Sequence, residues 1–151
     1  ETFDAWLSRN SNKKSTLRSW FASLGEQIVE VRVEGETRYL LAEHEDELAA
    51  TRPSRATHLL GAFDQFVLGP GTKDTHMLAH EHRPLVSKAA GWIAPVLTQG
   101  GRITGVWEMD DGNLVVTPFP GEQAPPSQVL EDAAARLTAV HGSVKVTPRV
   151  D

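Results

Sequence analysis

Lys13, Lys14 and Arg18 stand close together, interleaved with Ser15, Ser19 and Ser23. Cations and hydroxyls in that mixture are donors for phosphate oxygens and for the acceptor edges of bases. The same residues also make an ordinary solvated helix face. His76, His80 and His82 lie near Asp74 and Glu81, and these are ligand types for zinc or another transition metal. Their spacing is mixed, however. His80-x-His82 suits a strand, His76-x-x-x-His80 suits a helix, and the segment runs into Arg83-Pro84. Exposed loop histidines and no metal are expected. Asp64 lies between Phe63 and Phe66 in an apolar run. A partly buried carboxylate there can act as a base, or it can accept backbone N–H groups and fix a strand or turn. No acid or base partner lies nearby in the sequence, which favours the structural role. There is no cysteine, so disulfides, thiolate zinc sites and cysteine nucleophiles are excluded. Gly69-Pro70-Gly71 reads as a turn rather than a phosphate loop, and no Gly-x-Ser-x-Gly elbow occurs. No cofactor is expected.

The elements that must position these groups follow from hydrophobic period. Phe3, Trp6 and Leu7 predict a short helix with Thr2 as N-cap. Leu17, Trp20, Phe21 and Leu24 predict a second helix ended by Gly25, and this helix carries the three cations. From Gln27 to Leu41 the period changes to two, with a turn at Glu34-Gly35-Glu36, which predicts a β-hairpin. The tip carries two carboxylates, offset only by Arg32 and Arg38, so it is not expected to enter a DNA groove. Ala42 to Thr51 reads as an acidic helix stopped by Pro53. Candidate strands follow at His58–Leu68, Gly91–Thr98, Arg102–Met109 and Leu114–Phe119, with turns at Gly100-Gly101 and Asp110 to Asn113. Trp92 and Trp107 are placed in the core of these strands. Ser127 caps a final helix whose stripe is Leu130, Ala133, Ala134, Leu137 and Val140, closed by Gly142. Val144 to Val146 form a last short strand. Two modules are expected, residues 1–52 and 53–151.

The chain has 151 residues, one medium domain or two small ones, and a formal net charge of −5. A mildly acidic surface does not bind nucleic acid as a whole, so any such role needs a local basic patch. No apolar run reaches the ~18 residues of a membrane span, and no signal peptide is visible. A cytoplasmic location is expected, in keeping with the missing cysteines. The chain opens on Glu1 without an initiator Met and reads as part of something longer.

Leu59, Leu60, Phe63, Asp64, Phe66, Leu68 and Gly69, followed by Trp92, Pro95, Gly101, Arg102, Gly105 and Trp107, resemble the C-terminal half of a winged-helix DNA-binding family. That family includes the AlkZ- and YcaQ-type DNA glycosylases. It usually shows L-P-x-F-D-x-Y-L-L-G, an Arg-Asp-Arg-like element, and D-G-R-V-V-G-x-W. Lys73-Asp74-Thr75 stands where the Arg-Asp-Arg element is usual. Lys73 keeps a charge without the guanidinium fork, and Thr75 loses it. The resemblance implies that residues 1–52 are the third of tandem winged-helix modules, and that other such modules of the same parent chain are partners. It also implies that a catalytic Gln-aliphatic-Gln or Gln-aliphatic-Asp element belongs to the N-terminal half. Gln27-Ile28-Val29 and Gln65-Phe66-Val67 do not reproduce that element.

These readings converge on an α+β chain: a winged helix, then a small antiparallel β-barrel-like module with a C-terminal helix. The expected function is binding of double-stranded DNA through Lys13, Lys14, Arg18 and Lys73, without catalysis by this chain itself and with nucleoid association. One rival is part of a DNA glycosylase acting on alkylated or crosslinked DNA. Another is a protein-interaction module. Oligomeric state is left open.

Overall fold

In a computed structural model, the described residues are 2–8, 10–141 and 148–150. The side chains of Trp6, Leu7 and Val140, and the expected features at Gly142 and Val144 to Val146, lie outside what is described. The chain divides into two compact units, Glu1–Pro53 and Ser54–Asp151.

The first unit begins with helices α1 (Thr2–Ser8) and α2 (Lys14–Leu24). Gly25 ends α2 at φ 49°, where a side chain would be strained. Strands β1 (Ile28–Val33) and β2 (Glu36–Leu41) then form an antiparallel hairpin with Val33 opposite Glu36. Both turn residues are left-handed, Glu34 at φ 50° and Gly35 at φ 84°, the geometry that matches the twist of paired strands. A helical turn and α3 (Glu45–Ala50) follow. Edge-to-face aromatic contacts run from Phe3 to Phe21 at 5.6 Å and from Phe21 to Tyr39 at 5.2 Å. They join α1, α2 and β2. The apolar stripe expected on α2 is incomplete: Leu17, Phe21 and Leu24 are half-buried, but Trp20 is 44% exposed. Among the described residues of this unit, only Asp4 is fully buried.

The second unit is built on one sheet of order β3-β4-β5-β6-β7, comprising Thr57–Leu60, Val96–Gln99, Arg102–Asp110, Asn113–Pro118 and Pro148–Val150. The first three pairings are antiparallel and β6–β7 is parallel. The barrel-like expectation is therefore corrected, because the sheet is open. Edge strand β3 takes side-chain donors on two carbonyls: Trp107 Nε1 reaches Leu60 at 2.9 Å and Arg136 reaches Thr57 at 2.8 Å. Adjacent residues Val96 and Leu97 of β4 enter different cores, as strand alternation requires. One core holds Val67, Leu78, Val86, Ile103 and Phe119; the other holds Leu114, Val116 and, from α6 (Ser127–His141), Leu130, Ala133 and Ala134. The sheet is thus covered on both faces. Ser127 is the first helical residue, and Pro126 lends its carbonyl to the amides of Val129 and Leu130.

Between β3 and β4 the strand expectations fail for local reasons. The strand from His58 stops at Leu60, and Phe63 turns left-handed at φ 57°. Asp64 then caps a four-residue helix, α4 (Gln65–Leu68), accepting the Phe66 N–H at 2.8 Å. Residues read as loop around the histidines form a short turn, His80–His82, and α5 (Arg83–Val86). Pro84 follows Arg83 in the first turn of that helix, where its missing N–H costs nothing. The strand expected from Gly91 begins only at Val96, after Pro95.

Gly105 on β5 is fixed by packing. A Cβ there would meet the Thr117 carbonyl oxygen at 2.7 Å and Pro118 Cα at 3.1 Å. Gly105→Ala is predicted to lower stability by about 1–3 kcal/mol in denaturant melts. Gly61→Ala meets nothing within 4 Å and should stay within about 0.5 kcal/mol of wild type. Equal effects would remove the close approach as the cause.

Candidate nucleic-acid interface

The expected DNA contacts begin at the start of α2. Lys13 is the residue before the helix, in extended backbone at φ −68°, ψ 140°, and makes no side-chain cap. Lys14 opens the helix and Arg18 follows one turn later, on the same side. All three are exposed. The first turn of α2 contains no acidic residue. Two lysines therefore sit at the positive end of the helix dipole, beside amides with no helical acceptor. That placement is unfavourable for the isolated helix and attractive to an anion. Ser15 and Ser19 are exposed on the same helix, whereas Ser23 donates to the Trp20 carbonyl at 2.8 Å. Arg18 also lines a shallow groove of about 220 Å³ with Phe3, Asp4, Phe21 and Tyr39.

Asp4 sets the approach to this helix. It is 4% exposed. Its carboxylate accepts from the Ser8 hydroxyl and from Asn12 Nδ2 at 2.9 Å, while Asn12 also reaches Ser8 Oγ at 2.7 Å. Its backbone carbonyl takes the Asn10 amide at 3.2 Å. The turn leading to Lys13 is thus folded around one carboxylate. The hydrogen bonds from Ser8 and then Asn12 hold the Asp4 carboxyl below its ordinary pKa.

The hairpin tip does not add donors. Arg32 Nη1 turns back to the Gly35 carbonyl at 2.9 Å, and Arg38 pairs with Glu36. Tyr39 donates to Glu30 at 3.2 Å, and the nearby carboxylate raises the phenol's pKa.

Lys73 belongs to the second unit and is exposed. Its neighbour Asp74 is a turn-former, accepting the His76 amide on its side chain at 2.9 Å and the Leu78 amide on its carbonyl at 3.0 Å. Sequence reasoning missed Arg83, whose Nε reaches Thr72 Oγ1 at 3.3 Å and ties α5 to this loop. It also misplaced two rings. Trp92, expected in the core, is 50% exposed, because Ala90 and Gly91 turn left-handed just before it, at φ 55° and 77°. His82, expected exposed, is buried against Phe119 at 4.6 Å, while His76 and His80 are exposed. Among the described residues no group of three metal-ligating side chains converges. Asp64 spends its carboxylate on the cap of α4 rather than in a packed strand. No described helix is long and apolar enough to cross a membrane.

With this geometry in hand, known proteins are informative. The family model described as DNA glycosylase AlkZ-like matches residues 2–140. The chain belongs to the AlkZ-like DNA glycosylase family. Within it, the chain is 51% identical over 150 residues to a protein of Streptomyces sahachiroi named interstrand DNA cross-link repair glycosylase, covering 99% of this chain and 40% of that protein. The solved structure of Streptomyces sahachiroi DNA glycosylase AlkZ superposes with a TM-score of 0.96 at 50% identity, over all of this chain and 41% of that one. The chain therefore spans about two fifths of the length of these AlkZ-like relatives. Family membership places the glycosylase reading ahead of plain DNA binding, which the sequence had put first.

The Asp4 cluster has a defined pH signature. A carboxyl held low in the folded state adds stability above its unfolded pKa, near about 3.9, and loses it as pH falls through the lowered folded value. Wild type is predicted to melt above Asp4→Asn at pH 6, with the gap closing on acidification below pH ~4. A gap independent of pH would show that the ionised form has no special role.

Proposed function

We propose that this chain is the DNA-holding part of an AlkZ-like glycosylase that acts in DNA repair on crosslinked or alkylated DNA, and that it carries no base-excision centre itself. The first unit acts as a winged helix, with α2 as the helix that meets the duplex. The observation that carries this reading is the start of α2. Lys13, Lys14 and Arg18 gather at a helix end that already favours anions, in a family whose members are DNA glycosylases. The acidic hairpin tip stays off the phosphates. Lys73, in the second unit, adds a point charge to the backbone.

Base excision needs a flipped nucleotide beside a group that activates attack at the sugar. Asp64 was the one substitute that the sequence offered, and its carboxylate already serves the backbone of α4. The relatives' names describe glycosylases whose length exceeds this chain. On this reading the excision chemistry belongs to the part of such proteins that this chain does not match.

Changing Lys13, Lys14 and Arg18 together to Ala should weaken binding to an unmodified duplex. It should also reduce the slope of log affinity against log salt by about 2–3, since each phosphate contact releases about 0.9 counterion. An unchanged slope would move the interface off α2. The purified chain should release no free base from alkylated or crosslinked duplex. Release abolished by Asp64→Asn, in a protein that still folds, would overturn the non-catalytic assignment.

A further inference from the structure

Trp92 does not fill the core; it stands half exposed on the wall of an open groove of about 560 Å³. Such a volume falls within the roughly 300–1,000 Å³ of small-ligand sites. Phe63, itself 42% exposed, meets Trp92 edge-to-face at 5.1 Å and 86°. An edge-on pair covers at most one of its four ring faces, so flat apolar surface stays open to solvent. Leu85, Lys88, Trp107, Glu108 and Met109 line the groove with Trp92, while Phe63 backs Trp92 from outside that lining.

Both rings are held out deliberately by the backbone. Phe63 is left-handed at φ 57°, and Ala90 is left-handed at φ 55° although it is not glycine. The loop carrying Trp92 is tied shut by the Lys88 amide on the Trp92 carbonyl at 2.8 Å, and the loop carrying Phe63 is fixed by the Asp64 cap. Strained, well-tied loops that present aromatic rings to solvent are features of functional surfaces. Lys88 is exposed and forms no ion pair among the described residues.

We propose that this groove holds an unstacked nucleobase of single-stranded or locally opened DNA, with the base lying on an open face of Trp92, which Phe63 braces edge-on, and an adjacent phosphate meeting Lys88. The inference rests on the reading that the chain handles DNA, and adds a second contact of a different kind. Stacking on aromatic rings tolerates any base, because every base has a π-face. Glu108 on the same groove repels a second phosphate, so ring contact rather than charge dominates here. A duplex with all its bases stacked offers this site nothing to hold.

The test is fluorescence anisotropy of the chain with two probes, a short single-stranded oligothymidine and an unmodified duplex. Trp92→Ala should lower affinity for the single strand by about tenfold and leave the duplex unchanged. Trp92→Phe, which keeps a ring, should retain most of the binding. Lys88→Ala, an exposed change that does not threaten folding, should reduce the single-strand salt slope by about 0.7. Single-strand binding unaffected by Trp92→Ala in a folded protein, or a salt slope unmoved by Lys88→Ala, overturns the proposal; the first result would leave the groove to an apolar protein partner. Duplex binding that persists while these variants do nothing discards only this groove. Binding of neither probe by wild type overturns this proposal together with the DNA reading on which it rests.

Discussion

The first unit is organised around a buried carboxylate. Asp4 is the only fully buried described residue there, and it draws in Ser8, Asn10 and Asn12. Among the described residues, apolar side chains in this unit are half-buried at most, and several large ones are well exposed. Hydrogen bonds to an ionised acceptor are shorter and stronger than neutral ones, so a small unit can hold a turn in place without a deep core. That turn ends at Lys13. The direction in which α2 leaves it, and hence where Lys14 and Arg18 point, depends on the Asp4 cluster and on the aromatic contacts from Phe3 through Phe21 to Tyr39. The same residue lines the groove that Arg18 lines, and its Oδ1 accepts from both Ser8 and Asn12.

The second unit solves the opposite problem. It has two apolar cores, one on each side of the sheet, and its constraints are steric. Gly105 lets β5 lie against the Thr117 carbonyl, and two residues later Trp107 reaches over to the Leu60 carbonyl on the edge strand. A sheet locked in this way gives a rigid base for the segment between β3 and β4. That segment can then hold Phe63 and Ala90 in conformations that a looser scaffold would relax, and so keep Phe63 and Trp92 at the surface. Under the proposed reading, a local basic patch on one unit and an aromatic surface on the other are what would let a chain of net charge −5 take DNA as a partner.

Where local signals were strong, the sequence was legible. The period of α2, the Glu34-Gly35 turn, the β5–β6 hairpin around Asp111-Gly112 and the stripe of α6 all carry their own information. The segment from Gly61 to Pro95 does not. Helices of four residues, such as α4 and α5, are too short to display a period. Their apolar residues therefore read as strand, or vanish beside a proline. Asp64 was expected in a strand and instead caps a helix, because its cap is visible only once the helix is known. Trp92 was misplaced because its exposure depends on left-handed backbone at Ala90, which no side chain advertises. The parallel β6–β7 pairing is long-range and has no local signature. At the candidate interface, the sequence located Lys13, Lys14 and Arg18 at the start of a helix, which the fold reproduces, whereas the tie from Arg83 to Thr72 needed coordinates.

The claim that matters most is that duplex DNA meets the beginning of α2. Titrating the isotopically labelled chain with an unmodified duplex, and following backbone amides by NMR, reads this directly. The largest shifts are predicted from Lys13 to Ser19, above all in the first turn, Lys14 to Thr16, whose amides precede the first intrahelical bond, from Leu17 to the Lys13 carbonyl, with little change at Glu34 and Gly35. Shifts concentrated at the hairpin tip, with α2 unmoved, would contradict the assignment.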